Sequence, residues 1–335
     1  MSSVLIIGPK FHYFNQSLAC AFLEIGWDTH VEAYDNPVHP YTFFNKVRYK
    51  LSADKLGEKN KSCMRYEGYI RSIYDQKKPD LVFVVNGDNL QASTISYFRK
   101  QSKVIIWFFD SITRLVPYCK ENAKVADLVY CYEQEDIPLL QKEGIKPQFL
   151  PQAVDTQLYY PIEGTDKKYD IVFAGEIWGS KKRQHLLNAL IEHFPDKHIR
   201  IVGRYKIPTK NFFAWLFRKH RDIYTNKNAS AEELNRLYNE SRVVLNIHHE
   251  QQKNGANPKV YEIMASGAWQ VCDRNPYIES TFKSAPILLY DDVEDMVKQI
   301  EIALQEPKAN YPEEMIKQNT FSERIAQVLS MLKLR

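Results

Sequence analysis

The chain has 335 residues, enough for two domains of ordinary size, and its 44% hydrophobic and 26% charged residues are typical of a folded globular protein. This composition excludes collagen-like repeats and an intrinsically disordered chain. The formal net charge of +4 at pH 7 is too small to indicate nucleic-acid binding over the whole surface. The apolar runs are shorter than the ~18 residues of a membrane span. Because the chain starts directly with a strand-like segment, we expect no secretory signal and a cytoplasmic protein.

The five cysteines are widely spaced and include no C-x-x-C pair. An odd and scattered set argues against a disulfide framework and against a tetrahedral zinc site. We therefore expect reduced thiols, most of which fill space in the core.

The first half of the chain alternates apolar runs with helical patterns. Residues 4–7 form a short apolar run that ends at Gly8, and apolar residues at helical spacing follow. Further apolar runs cover residues 81–85, 104–109 and 128–132. Such uninterrupted runs are typical of parallel strands buried on both faces. The first half is therefore predicted to be α/β.

The same pattern starts again in the middle of the chain. Residues 171–174 form a strand-like run that ends at Gly175, and a helical pattern follows. Further strands are predicted over residues 199–202, 243–247 and 270–272, with helical patterns between them. The second half is therefore predicted to be α/β as well.

A polar stretch after residue 150 separates the two halves and is suited to a hinge. We predict a Rossmann-like domain over residues 1–150, a second one over residues 151–310, and a C-terminal helix within residues 311–335 that packs back on the first domain. Open parallel sheets bind ligands beyond the carboxyl ends of their strands. The expected fold is α/β, with two facing Rossmann-like domains and a central cleft.

The most informative segment predicts a short helix with a well-defined start. Asn257 is a good N-cap, Pro258 is favoured at the first helical position, and Gly267 is favoured at the exit. Lys259 adds a cation to the free N–H groups of the first turn, which favours a diphosphate. Glu262 lies on the same face and can accept hydrogen bonds from ribose hydroxyls. The alternative is an ordinary surface ion pair between the two side chains.

Residues 257–262, N-P-K-V-Y-E, followed by A-S-G-A at residues 265–268, resemble the donor-site motif of GT-B glycosyltransferases, in particular the CgeB-like group. The resemblance covers about residues 80–335. It implies the GT-B fold and the transfer of a sugar, with a UDP-hexose favoured, from a nucleotide-diphosphate donor. In the related family-4 enzymes two glutamates are separated by seven residues, and the second binds the donor ribose. Glu262 matches the second, whereas Asn254 stands at the position of the first.

The resemblance also implies a retaining transfer that needs no metal and no other cofactor. The sequence agrees, because His248, His249 and Glu250 are adjacent and cannot readily all face one ion. We expect these residues to form a loop that contacts the donor, with a solvated loop as the alternative.

Further residues are predicted to bind the donor. Lys182 and Arg183 follow the glycine loop at Gly175, at the start of a helix, where a phosphate would lie. A solvated basic turn is the alternative for this pair. Arg204, just after the next predicted strand, and His248 complete the predicted donor-binding set.

Two residues compete as the group that activates the acceptor hydroxyl. Asp110 ends the apolar run 104–109, and its carboxylate could take the acceptor proton. His12 follows the first strand and is the second candidate. Asp110 could instead cap the following segment, and a loop histidine is more often a surface residue. Together with Lys259, these two residues are the predicted catalytic set.

Residues 206–221 interleave aromatic and basic side chains, and residues 46–61 form a second basic stretch. Both are suited to an anionic membrane surface, although the aromatic residues could equally be core. We therefore expect a glycan or lipid-linked acceptor, peripheral contact with the inner face of the cell membrane, and no nucleic-acid partner. Same-fold alternatives are a nucleotide-sugar epimerase or a phosphorylase. A non-catalytic glycan- or nucleotide-binding protein is the alternative from another class.

Overall fold

The computed structural model describes residues 1–10, 13–34, 55–115, 117–204 and 223–333, with the backbone alone for 55–63 and 65. The chain divides into two compact units. Met1–Pro151 and Phe321–Arg335 form the first unit, and Gln152–Thr320 form the second. Each contains a parallel sheet with helices, so the predicted α/β class with two Rossmann-like domains is confirmed.

The described part of the first unit contains a six-stranded parallel sheet of order β2-β1-β3-β4-β5-β6. Its strands are β1 (Ser3–Gly8), β2 (Asp28–Ala33), β3 (Leu81–Val85), β4 (Lys103–Phe108), β5 (Leu128–Cys131) and β6 (Pro147–Phe149). Its helices are α1 (Phe14–Glu24), α2 (Lys55–Lys77), α3 (Ala92–Phe98), α4 (Tyr118–Lys124), α5 (Asp136–Lys142) and α12 (Phe321–Leu332). All residues of β3 are buried, as expected for a strand covered on both faces.

The last helix, α12, belongs to the first unit although the second unit precedes it in the chain. The Phe321 ring lies 6.4 Å from the ring of Phe14 on α1, centroid to centroid. The Arg324 guanidinium donates to the Pro151 carbonyl at 3.1 Å. The segment 311–335 is thus divided between the two units. Its short helix at 313–317 lies in the second unit, and α12 lies in the first.

The described part of the second unit contains another six-stranded parallel sheet, of order β12-β11-β10-β7-β8-β9. Its strands are β7 (Tyr169–Ala174), β8 (Ile199–Val202), β9 (Tyr224–Thr225), β10 (Ser241–Asn246), β11 (Trp269–Asp273) and β12 (Ile287–Tyr290). Its helices are α6 (Lys181–His193), α7 (Ala231–Asn239), α8 (Pro258–Ser266), α9 (Pro276–Thr281), α10 (Val293–Gln305) and α11 (Glu313–Lys317). Its core consists of apolar side chains from the central strands together with α6 and α10.

The strand order determines where each sheet can bind a ligand. In the second unit the chain builds outward from β7 through β8 and β9, and then returns to the other side of β7 to form β10. The loops after β7 and β10 therefore diverge, which leaves a crevice at the carboxyl ends of these two strands. The same reversal occurs between β1 and β3 in the first unit.

Within the part of the chain that the structure describes, every helix is too short or too polar to span a lipid bilayer. The aromatic and basic segment 206–221 lies outside the described residues. The same holds for residues 46–50 and for the side chains of Lys55, Lys59 and Lys61.

A close approach of two backbones fixes the loops beside the crevice of the second unit. The Gly175 N–H donates to the Val202 carbonyl at 2.9 Å. A Cβ atom on Gly203 would lie 1.7 Å from the Gly175 carbonyl oxygen. Backbone cannot yield at that distance, so only glycine fits at position 203.

Replacing Gly203 by alanine should therefore destabilise the protein by about 1–3 kcal/mol, as overpacking does elsewhere. The matched control is Gly68→Ala, since Gly68 is an exposed position of α2 with open space around its added Cβ. That control should stabilise by about 0.5–1 kcal/mol. Urea unfolding of the three proteins measures both effects, and a Gly203→Ala variant as stable as wild type would contradict the close approach.

Candidate functional site

Helix α8 has the start and the end that its sequence predicts. The Asn257 side chain accepts a hydrogen bond from the Val260 N–H at 3.3 Å, and Pro258 occupies the first turn. Gly267 ends the helix in the left-handed conformation, with φ of 72°. The N-terminus of α8 therefore lies where the loop after β10 returns to the sheet, beside the crevice.

Three contacts hold Asn257 itself. Its side-chain amide and that of Asn246, at the end of β10, exchange two hydrogen bonds of 2.9 and 3.1 Å. Its backbone N–H donates to Nε2 of His248 at 3.2 Å. Asn257 is buried, and these contacts place the start of α8.

The His248 ring connects Asn257 to the buried carboxylate of Asp273 on the neighbouring strand. Asp273, at the end of β11, lies 2.7 Å through Oδ1 from Nδ1 of His248 and accepts the His248 backbone N–H at 2.9 Å. The ammonium of Lys182 donates to the other oxygen, Oδ2, at 2.5 Å. Lys182 thus forms an ion pair within the protein, where the sequence predicted a phosphate ligand.

These neighbours keep Asp273 ionised. Burial by itself raises the pKa of this carboxyl, but the interactions with His248 and Lys182 outweigh burial and hold the pKa well below the ordinary 3.8. At the adjacent Cys272 the net shift is in the opposite direction, because burial prevails there and raises the pKa of the thiol far above its ordinary value. The cluster therefore contains one negative carboxylate and a neutral thiol.

His248, Cys272 and Asp273 offer ligand atoms that all lie within 4.8 Å of one another, the spacing of a metal site. The hydrogen bonds argue against that use. Both ring nitrogens of His248 have partners, and the cation beside Asp273 is Lys182. We assign the three residues to a hydrogen-bonded cluster.

Lys259 and Glu262 lie on one face of α8, as predicted. The ammonium of Lys259 is 4.0 Å from Oε2 of Glu262, and the two side chains are 25% and 4% exposed. The Glu262 carboxylate also lies beside the Tyr238 hydroxyl, whose pKa is raised by burial and then by this carboxylate. A ligand that approaches α8 therefore meets Lys259 first.

The start of α6 already holds an anion from the protein itself. The Glu250 carboxylate accepts the Ser180 hydroxyl at 2.9 Å and the Lys182 backbone N–H at 3.1 Å. Burial raises the pKa of Glu250, but the backbone and side-chain hydrogen bonds more than compensate and lower it overall. Its other oxygen lies 3.4 Å from Nδ1 of His249. The helix end where the sequence predicted a phosphate is thus satisfied by Glu250.

Arg183 uses its guanidinium to hold loops together. It donates to the Ile247 carbonyl through Nε and Nη2, at 3.0 and 2.8 Å, and to the Glu176 carbonyl through Nη1 at 2.7 Å. The carbonyl of Arg204, in turn, accepts the N–H groups of the loop after β7. These contacts bring the predicted donor residues to one edge of the sheet, with Arg183 in a positioning role.

In the first unit, Asp110 follows β4 and lies beside Asn86, which follows β3. Asn86 is buried with φ of 59°, and its amide donates to Asp110 Oδ2 at 3.2 Å. The side-chain oxygen of Asn86, Oδ1, accepts the backbone N–H groups of Phe109 and Asp110. Arg114 lies 3.5 Å from the other Asp110 oxygen. Asp110 is therefore oriented in a partly exposed position. The competing residue, His12, lies outside the described residues.

Sequence reasoning missed Asp273, Asn246 and Asn86 as parts of these sites, and it predicted Glu250 in a loop that contacts the donor. Asp273, Asn246 and Glu250 reach their partners only through strand pairing and loop packing. Asn86 carried a local signal, since a polar residue directly after a buried strand lies at the ligand-binding edge of a parallel sheet.

Residues 182–330 match a protein-family model described as glycosyl transferase-like. This segment contains Lys259, Glu262, His248 and Asp273, the residues that form the crevice edge of the second unit. Over this segment the chain is glycosyl transferase-like, and its two Rossmann-like domains have the GT-B fold. No curated protein matched it in sequence.

Several solved structures share the fold of this chain over nearly its whole length. Sucrose-phosphate synthase from Thermosynechococcus elongatus is 11% identical, with a TM-score of 0.67, over 99% of both chains. UDP-GlcNAc 2-epimerase from Methanocaldococcus jannaschii, in complex with UDP-GlcNAc and UDP, is 15% identical, with a TM-score of 0.56, over 99% of this chain and 100% of that one. Anabaena HepE, in complex with UDP and glucose, is 10% identical, with a TM-score of 0.59 and the same coverage. At these identities the likeness is one of fold.

The depressed pKa of Asp273 predicts how stability changes with pH. Above the ordinary value of 3.8 the carboxylate is ionised in both folded and unfolded chains, and its contribution is fully present. Below that value the unfolded chain is protonated first, so the contribution is lost as the pH falls towards the lower folded-state pKa.

Asp273→Asn should therefore cost about 1.5–3 kcal/mol of unfolding free energy at pH 6 and progressively less below pH 3.8. The control is Asp291→Asn, because Asp291 pairs with Arg274 at the exposed end of the next strand. Denaturant unfolding across this pH range measures the difference. A cost for Asp273→Asn that grows as the pH falls would contradict the assignment.

Proposed function

We propose that the second unit binds the diphosphate of a nucleotide-sugar donor, with a UDP-hexose favoured, at the start of α8. The observation that carries this proposal is the difference between the two helix starts beside the crevice. At α6 the Glu250 carboxylate accepts a hydrogen bond from the backbone N–H of Lys182, in the first turn of the helix. At α8 the cation Lys259 stands in the first turn and is partly exposed. A diphosphate is stabilised by free N–H groups and a cation together.

Two similar folds hold UDP, the epimerase and Anabaena HepE. This supports a uridine nucleotide as the first donor to test. On this proposal Glu262 accepts the ribose hydroxyls, since it lies one helical turn beyond Lys259.

We assign the acceptor, a glycan or a lipid-linked sugar in cell-surface polysaccharide synthesis, to the first unit. Asp110 is partly exposed at the carboxyl edge of the sheet and is oriented by Asn86. Its carboxylate would take the proton of the acceptor hydroxyl or orient the sugar. Departure of the diphosphate develops negative charge opposite Lys259, and stabilising that charge is the main catalytic contribution. We propose a retaining transfer without a metal, so activity should survive EDTA.

Calorimetric titration of the full chain with UDP, GDP and ADP tests the donor. UDP should bind more tightly than the other two, and at 100 times its dissociation constant it should raise stability by about 2.7 kcal/mol. Binding of none of the three would refute the nucleotide-sugar proposal. Product formed from a UDP-sugar without added acceptor would instead favour an epimerase.

Lys259→Gln should lower turnover about 100-fold and weaken donor binding less, because the charge on the diphosphate grows as the sugar departs. Steady-state kinetics with the best donor separates kcat from KM. Lys317→Gln is the control, since Lys317 forms an exposed ion pair with Glu313 on α11. Equal losses in turnover and binding would show that Lys259 serves binding alone.

Peripheral attachment to an anionic membrane is a separate part of the proposal, supported by the composition of residues 206–221. The protein should bind vesicles that contain anionic lipid, and binding should weaken as salt screens the basic side chains. Replacing Phe213 and Trp215 by serine should abolish binding without changing the melting temperature. A large fall in melting temperature would place these aromatic residues in the core and remove the membrane proposal.

A further inference from the structure

We propose that His248 and Asp273 are positioning residues that fix the start of α8 and thereby hold Lys259 in place. The part of this inference that concerns the donor rests on the proposed function. The part that concerns α8 does not, because it follows from contacts within the second unit.

The polar atoms of both side chains have partners within the second unit, since both ring nitrogens of His248 and both carboxylate oxygens of Asp273 are hydrogen-bonded. The His248 ring is 1% exposed and the Asp273 side chain 10%. Their effect must therefore pass through the groups they touch. For His248 that group is the backbone N–H of Asn257, the N-cap of α8.

The chemistry of this contact determines the tautomer of His248. A backbone N–H can only donate, so Nε2 of His248 must accept and carries no proton. The proton of the neutral ring then lies on Nδ1 and is donated to Asp273 Oδ1 at 2.7 Å. Asp273 also accepts the backbone N–H of His248, which fixes the ring from two sides.

The same carboxylate holds Lys182, in the first turn of α6, through Oδ2. One carboxylate therefore connects both helix starts at the crevice: α6 through Lys182, and α8 through His248 and Asn257. Removing the histidine acceptor leaves the Asn257 N–H buried without a partner, and the first turn of α8 should then open more often.

Two substitutions at His248 separate positioning from simple space filling. His248→Phe keeps an aromatic ring but has no acceptor for Asn257. His248→Gln replaces the ring by an amide with one acceptor and one donor, which can restore the connection to Asp273. His193→Phe, at the exposed end of α6, is the matched control.

Hydrogen exchange of the segment 254–262, read by mass spectrometry, tests the effect on α8. We expect exchange about tenfold faster in His248→Phe, and close to wild type in His248→Gln and His193→Phe. The affinity for UDP should fall about tenfold in His248→Phe and recover in His248→Gln. Unchanged exchange in His248→Phe, or equal exchange in the Phe and Gln variants, would overturn the proposal.

A measurement on the wild-type chain decides the tautomer even if a variant fails to fold. Nitrogen-15 NMR of labelled histidines should show His248 protonated at Nδ1 and unprotonated at Nε2. A proton on Nε2 would overturn the proposal. If the wild-type chain binds no nucleotide, the proposed function fails, while hydrogen exchange and the tautomer still decide whether His248 positions α8.

Discussion

The buried carboxylate of Asp273 is the constraint on which the ligand-binding edge of the second unit depends. It lies at the end of β11 and accepts hydrogen bonds from the His248 ring, the His248 backbone and Lys182. A buried charge is tolerated only when it is paired and hydrogen-bonded, and this one is. Its partners belong to one loop and one helix, so one charge connects segments that are far apart in the chain.

The two helix starts at this edge have different chemistry. Glu250 accepts the Lys182 N–H in the first turn of α6 and supplies the negative charge that a helix N-terminus favours. The start of α8 is placed by Asn257 and His248 and has a cation, Lys259, in its first turn. The structure thus separates a helix end that is satisfied within the protein from one that presents positive charge. This difference is the physical basis for placing a diphosphate at α8.

Much of this architecture could be predicted from the sequence. Central strands such as β3 and β10 are apolar because both of their faces are buried, so their positions could be predicted to within about two residues. The edge strand β2 was missed because its partly exposed segment, D-T-H-V-E-A, carries no apolar run. The edge strand β12 was also missed, although its segment I-L-L-Y is apolar. The start of α8 was predicted correctly because its cap is local, with Asn257, Pro258 and Gly267 each marking a helix position.

The cluster around Asp273 could not be predicted in this way. Its contacts join residues that are 25 and 91 positions apart in the chain. They form because β10 and β11 pair with Asn246 opposite Cys272, a register that no local pattern specifies. The same limit explains Arg183. The sequence predicts that Arg183 lies at a helix start, but it does not predict that the guanidinium contacts the Ile247 carbonyl.

A crystal structure of the full chain with UDP tests most directly whether α8 holds the donor. The account predicts a diphosphate oxygen within hydrogen-bond distance of the Lys259 ammonium and of a backbone N–H in the first turn of α8. Glu250 should keep its contacts with Ser180 and Lys182 at the start of α6. A diphosphate bound at α6, with Glu250 displaced and Lys259 without a ligand contact, would contradict it.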